Sequence, residues 1–174
     1  MQFKVKNMPR TVLRKTGLVW GQTGFTLLEM IFSIAIITIG VLGIHNGLTY
    51  AIEHTKQARE YFTASYLAKE GIEIVKNIRD TNWVEGAASW KDGLTSCASG
   101  CEADYDDSLS SYTGKYFYIH STNYFYQYTT SSEKTPYQRK ITITEVDSDE
   151  LDIKIEVFFK GNTMTAKENI YNWR

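Results

Sequence analysis

Phe25-Thr-Leu-Leu-Glu-Met-Ile-Phe-Ser-Ile-Ala-Ile-Ile-Thr-Ile-Gly-Val-Leu-Gly-Ile44 is a run of twenty residues in which Glu29 is the only charge. Coiled as a helix it is roughly 30 Å long, the thickness of the hydrocarbon core of a bilayer. Its flanks differ: residues 1–24 carry five basic side chains (Lys4, Lys6, Arg10, Arg14, Lys15) and no acidic one, whereas the sequence beyond Ile44 is mixed. A buried helix of a soluble protein has no need of that asymmetry, but an inserted segment does, and its basic flank stays in the cytoplasm. The run exceeds the apolar region of a secretory signal peptide, about 7–15 residues, and no A-x-A cleavage site follows it. The expectation is a single span of the cytoplasmic (inner) membrane, N-terminus inside and the remainder outside.

The chain has 174 residues and 20.0 kDa, which leaves room for one modest core. With 43% hydrophobic and 14% aromatic residues and only two prolines it is neither disordered nor collagen-like. The formal net charge of -1 conceals opposed ends, because residues 25–79 balance while residues 80–174 hold 15 acidic against 9 basic side chains, near -6. An acidic C-terminal part disfavours non-specific nucleic-acid binding.

Beyond the span, Leu48, Ile52, Ala58, Phe62, Ser65, Leu67, Ile72, Val75 and Ile78 recur mostly at three- and four-residue steps, which predicts an amphipathic continuation of the helix. Residues 25–79 then form one helix of roughly 80 Å, with Lys76 and Arg79 near its negative end and Asp80-Thr-Asn82 as its stop. Residues 83–111 read as a connecting loop with one short element. From Tyr112 the period becomes two: Tyr116 and Tyr118 alternate with Phe117 and Ile119, and Tyr124, Tyr126 and Tyr128 with Phe125 and Gln127. Two further strands, 138–146 and 151–159, are bounded by turns at Asp147-Ser-Asp149 and Gly161-Asn162, so 141–170 reads as a three-stranded meander packed on the helix. The terminal Ile170-Tyr-Asn-Trp-Arg174 is expected to pin the last strand. The expected class is α+β: segment 1–24, a membrane-spanning helix 25–44, its amphipathic continuation 45–79, and a loop and antiparallel sheet head 80–174.

Cys97-Ala-Ser-Gly-Cys101 holds the two cysteines. Outside the cytoplasm a disulfide is their default state. The rival reading is a metal site with Glu102, Asp104, Asp106 and Asp107, but these carboxylates do not follow the twelve-residue calcium-loop pattern, and two thiols do not make a structural zinc site. No metal is therefore assigned. His45, His54 and His120 share no metal-binding spacing, and neither a G-x-S-x-G elbow nor a phosphate-binding loop is present. The chain reads as a non-enzyme with no cofactor.

Glu29 inside a span costs about 2.5–3.5 kcal/mol on insertion scales, so it asks for a partner. One reading is local: Thr26-x-x-Glu29 has capping-box spacing. The other lies between subunits, where the amine of Phe25 on one chain pairs with Glu29 of its neighbour and sets their axial register. Gly43-x-x-x-Gly47 has the small-xxx-small spacing that lets membrane helices approach closely, and a locally softer helix is an equal alternative, since each interior glycine costs about 1 kcal/mol relative to alanine.

Gly24-Phe-Thr-Leu-Leu-Glu29 at the head of an apolar helix, behind a basic leader, resembles the cleavage and methylation motif of type IV prepilins and type II secretion pseudopilins. The resemblance implies that a membrane-embedded prepilin peptidase cuts between Gly24 and Phe25 and methylates the new amine of Phe25, removing 1–24 as a leader peptide. It implies a ladle-shaped pilin fold and assembly with other pilin or pseudopilin subunits, by a platform and an ATPase, from membrane lipid into an extracytoplasmic filament. Where major pilins usually carry a proline this sequence has Asn46. The segment from Tyr66 to Trp83 and the ending Asn172-Trp-Arg174 resemble the minor pilin group described as type IV pilus modification protein V-like or type II secretion I-like.

Seven tyrosines between Tyr112 and Tyr137 suggest a stacking surface for bases or sugars. Strand formation and filament interfaces explain them better, and no basic groove accompanies them. No direct nucleic-acid partner is expected, and DNA uptake, as in a competence filament, would run through the complex.

Overall fold

The structure is a computed structural model that describes residues 24–105, 109–129 and 133–172. It divides into two units, Met1–Leu48 and Thr49–Arg174, and the helix α1 (Leu27–Glu85) starts in the first and ends in the second.

In the first unit, Thr26 starts α1. Its Oγ1 accepts the Glu29 N–H at 3.2 Å and its carbonyl accepts the Met30 N–H at 3.1 Å. This satisfies donors that a helix start leaves without partners. Every side chain from Phe25 to Leu48 is exposed, and α1 contains a stretch long and apolar enough to cross a membrane. The Thr38 hydroxyl donates to the Ile34 carbonyl at 2.7 Å, so this polar group is satisfied within the helix, as hydrocarbon surroundings require.

In the second unit, α1 buries Ala64, Leu67, Ala68, Gly71, Ile72 and Val75, spaced by alternating steps of three and one. That single face packs with Leu94, Phe117, Ile141, Ile143, Leu151, Ile153, Ile155, Val157, Phe159 and Ile170 into one core. Gly71 marks the closest approach: a Cβ there would lie 3.0 Å from Arg139 Cδ and 3.2 Å from an Ile155 methyl. The expected stripe holds only in its second half. Leu48 and Phe62 are 59% and 66% exposed, and in the turn before Ala64 it is Tyr61 rather than Phe62 that meets the sheet, edge-on to Phe159 at 5.1 Å between ring centres.

The helix also runs past its expected end at Arg79. Asp80 accepts the Arg79 Nε–H at 2.8 Å, and the Asn82 amide reaches forward to the carbonyls of Trp90 (3.1 Å) and Asp92 (2.8 Å), so neither residue competes for the helix backbone. Gly86 ends it, at φ +69°. Its N–H donates to Trp83 O and the Ala87 N–H to Asn82 O, the pair of bonds that closes a helix through a left-handed residue.

The sheet comprises β1 (Cys101–Glu102), β2 (Ser110–Ser111), β3 (Tyr116–Ile119), β4 (Tyr126–Gln127), β5 (Glu133–Glu145), β6 (Glu150–Phe159) and β7 (Asn162–Tyr171), all paired antiparallel. β5, β6 and β7 form the expected meander, in register from Tyr137↔Phe159 to Glu145↔Leu151 and from Glu150↔Tyr171 to Phe159↔Asn162. On the other edge of β5 lie β3 and, at Ile141, β1. The β3 register slips where Tyr116 faces Gln138 and Tyr118 faces Lys134. Pro136, which has no N–H to offer a ladder, sits in the slipped segment.

The expected strand over Tyr124–Tyr128 shrinks to β4. Residues 120–125 instead form a turn closed by Tyr124 N–H to His120 O (3.0 Å) and His120 N–H to Phe125 O (3.1 Å). At the chain end Ile170 is buried and Asn172 donates its N–H and its amide to Asp149 in the β5–β6 turn, both at 2.9 Å. Trp173 and Arg174 lie outside the described residues.

Candidate functional site

The predicted processing site lies at the junction between irregular backbone and helix. Gly24, Phe25 and Thr26 precede α1 in non-helical conformation, and all three are exposed. A Cβ built on Gly24 meets nothing within 4 Å, so the fold itself makes no demand for glycine there. Four residues beyond Phe25, Glu29 stands in the first turn of α1, where a carboxylate is favoured by the helix dipole. Only half of a capping box forms. Thr26 caps the Glu29 N–H, while the Glu29 carboxylate has no partner among the described residues. Lys4, Lys6, Arg10, Arg14 and Lys15 lie outside the described residues.

In the head, Cys97 and Cys101 are joined by a disulfide, and both are buried beside β1. The neighbouring carboxylates are committed to backbone. Glu102 accepts N–H bonds from Thr113 (3.1 Å), Gly114 (3.2 Å) and Lys115 (3.3 Å) and the Thr113 hydroxyl at 2.7 Å, with the Lys115 ammonium at 3.2 Å. Burial would raise its pKa, but these hydrogen bonds outweigh burial and hold it below the ordinary carboxylate value. Asp104 accepts the N–H groups of Tyr105 (2.7 Å) and Tyr128 (2.8 Å). Asp106 and Asp107 lie outside the described residues, and among the described residues no group of three or more His, Cys, Asp or Glu is placed to hold a metal.

Arg139 on β5 was not singled out in the sequence, although it shares the inward phase of Ile141 and Ile143. It is fully buried, with Nη1 donating to Leu67 O (2.9 Å) and Glu70 Oε1 (3.1 Å) and Nη2 to Ala103 O (2.7 Å). The tyrosines divide. Tyr137 is buried and Tyr126 and Tyr128 are half-buried against Phe117 and Phe159, and burial pushes the Tyr128 phenol well above its ordinary pKa. Tyr124, by contrast, is exposed. Of the histidines, His54 packs on Tyr50 with ring centres 4.0 Å apart and His120 Nδ1 accepts the Thr122 N–H.

Residues 21–44 match the family described as the prokaryotic N-terminal methylation motif. No curated protein and no solved structure matches the chain. The matched segment contains Gly24, Phe25 and Glu29 and supports the prepilin and pseudopilin family. Together with the long N-terminal helix and the antiparallel sheet, that motif supports a type IV pilin-like protein, and the apolar part of α1 fits a single-pass membrane anchor.

Proposed function

We propose that the chain is a minor pilin or pseudopilin: a structural subunit of a type IV pilus or type II secretion-like filament, cut between Gly24 and Phe25, methylated at Phe25 and assembled through α1. The observation that carries this reading is the arrangement at the helix start. An exposed, non-helical Gly24-Phe25 peptide adjoins a capped helix whose first turn presents a Glu29 with no partner among the described residues and whose apolar side chains are uncovered. Proteolysis needs an extended peptide, and nothing around Gly24 requires glycine, so that requirement falls to the peptidase. After cleavage the amine of Phe25 carries a positive charge, and pairing it with Glu29 of a neighbouring subunit neutralises both charges in an apolar surrounding. The uncovered side chains then pack against equivalent helices.

Before assembly the chain sits in the cytoplasmic membrane with its N-terminus inside, and its partners are the peptidase, related subunits, and the assembly platform with its ATPase. Asn46, in place of the proline of major pilins, favours a minor subunit. Glu29→Ala is the test: membrane insertion should persist while incorporation into sheared filaments falls at least tenfold. Undiminished incorporation would contradict the intersubunit pairing.

A second reading, an anchored binding module displayed at a filament tip, draws on the exposed aromatic side chains of the head.

A further inference from the structure

The Thr49–Arg174 unit contains a cavity of about 270 Å3 lined by Glu70, Tyr105, Tyr124, Phe125 and Tyr126. Three of these rings are open to solvent: Tyr105 is 46%, Tyr124 74% and Phe125 54% exposed. Tyr105 and Phe125 lie 5.4 Å apart between ring centres, so the apolar surface is contiguous. The 120–125 turn is built to hold Tyr124 and Phe125. Besides the two backbone bonds that close the 120–125 turn, Phe125 N–H donates to Asn123 Oδ1 (3.1 Å) and Thr122 N–H to His120 Nδ1 (3.2 Å). Tyr124 adopts φ +59°, a conformation that disfavours a bulky side chain. Glycine or asparagine would form this turn with less strain, so the fold gives no reason for a ring at this position.

Beside the rings the lining includes one carboxylate, Glu70, whose charge is balanced. Glu70 Oε1 accepts from Arg139 Nη1 at 3.1 Å, while the remaining Arg139 bonds go to neutral carbonyls. The Glu70 side chain is 35% exposed, and Oε2 has no partner among the described residues.

We propose that this cavity binds a neutral saccharide, a hexopyranose unit stacking its C–H face on Tyr124 and Phe125 while Glu70 accepts a ring hydroxyl. A quaternary ammonium ligand would stack on the same rings, but Arg139 already offsets the Glu70 charge that would add to its attraction. A nucleic-acid base would bring phosphodiesters to residues 80–174, which carry an excess of six acidic groups. Aromatic platforms with a hydroxyl acceptor and no net charge suit a sugar.

The test is saturation-transfer NMR on the full chain in a polyoxyethylene detergent, which contains no sugar, with maltose and N,N′-diacetylchitobiose as probes and choline and oligo-dT as competitors. Saturable binding of at least one disaccharide is expected, weakened tenfold or more by Tyr124→Gly and by Phe125→Ala and unchanged by Tyr171→Ala on β7. Tyr124→Gly relieves the backbone, so the variant stays folded, and circular dichroism verifies this. The proposal is overturned if neither disaccharide binds saturably, if choline or oligo-dT binds more tightly, or if Tyr124→Gly binds as the parent does. Assembly is not read in this experiment, so its failure leaves the filament reading standing.

Discussion

The buried guanidinium of Arg139 on β5 meets the Glu70 carboxylate on α1 at 3.1 Å, across 69 positions of sequence. The same guanidinium reaches the Leu67 carbonyl of the helix and the Ala103 carbonyl beyond β1, so one side chain joins three elements. Its Nε has no partner among the described residues.

Removing that junction should separate packing from polar bonding. Arg139→Ala leaves a cavity and two carbonyls without their donor and is expected to lower unfolding stability by about 3–5 kcal/mol. Arg139→Met keeps most of the volume, leaves Glu70 accessible to water, and should cost about 1–2 kcal/mol. Denaturant unfolding of the full chain in detergent measures both. Equal losses would assign the stability to the hydrogen bonds rather than to filled space.

Glu102 gives the head a defined acid response. Its folded pKa is below the unfolded value, so its contribution to stability is complete above about pH 4.5, the ordinary value, and is lost as pH falls through the lower folded pKa. Glu102→Gln should be less stable than the parent at neutral pH, with the difference shrinking on acidification. A difference that grows toward low pH in thermal melts would refute the assigned network.

Gly71→Ala adds a methyl group 3.0 Å from Arg139 Cδ and 3.2 Å from Ile155. Alanine gains about 1 kcal/mol in helix propensity, and overpacking a pinned core costs typically 1–3 kcal/mol, so a net loss of about 1 kcal/mol is expected. A stabilised variant would mean that helix and sheet pack less closely than described.

The disulfide closes a loop with a sequence separation of four. Chain entropy alone gives so short a loop about 2 kcal/mol. Cys97→Ala/Cys101→Ala should lower stability by no more than that, and because both sulfurs are buried, reduction should be slow without denaturant.

What the sequence revealed depended on how local the governing interaction is. The start of α1 follows from Thr26, which caps the Glu29 N–H three residues on, and the meander follows from alternation in β5 and β6. The helix end was misread because Asp80 and Asn82 are good stop residues whose side chains are here engaged with Arg79 and with the carbonyls of Trp90 and Asp92; Gly86 carried the signal. Tyr124 to Tyr128 alternate as a strand does, yet the bonds of His120 fold the first half into a turn. Arg139 falls in phase with Ile141 and Ile143, but only tertiary structure supplies the carbonyls that make a buried cation tolerable there. Similarly, Phe62 reads as core, and its exposure shows only once the sheet is placed.

The most direct test of the account is the N-terminus of the mature protein. Intact mass and N-terminal sequencing should be compared for chain recovered from membranes and from sheared surface filaments, in cells with and without a prepilin peptidase. The account predicts a chain beginning at methylated Phe25, present in the sheared fraction only when the peptidase is expressed. An uncut chain that retains Met1 and occurs only in membranes would contradict it.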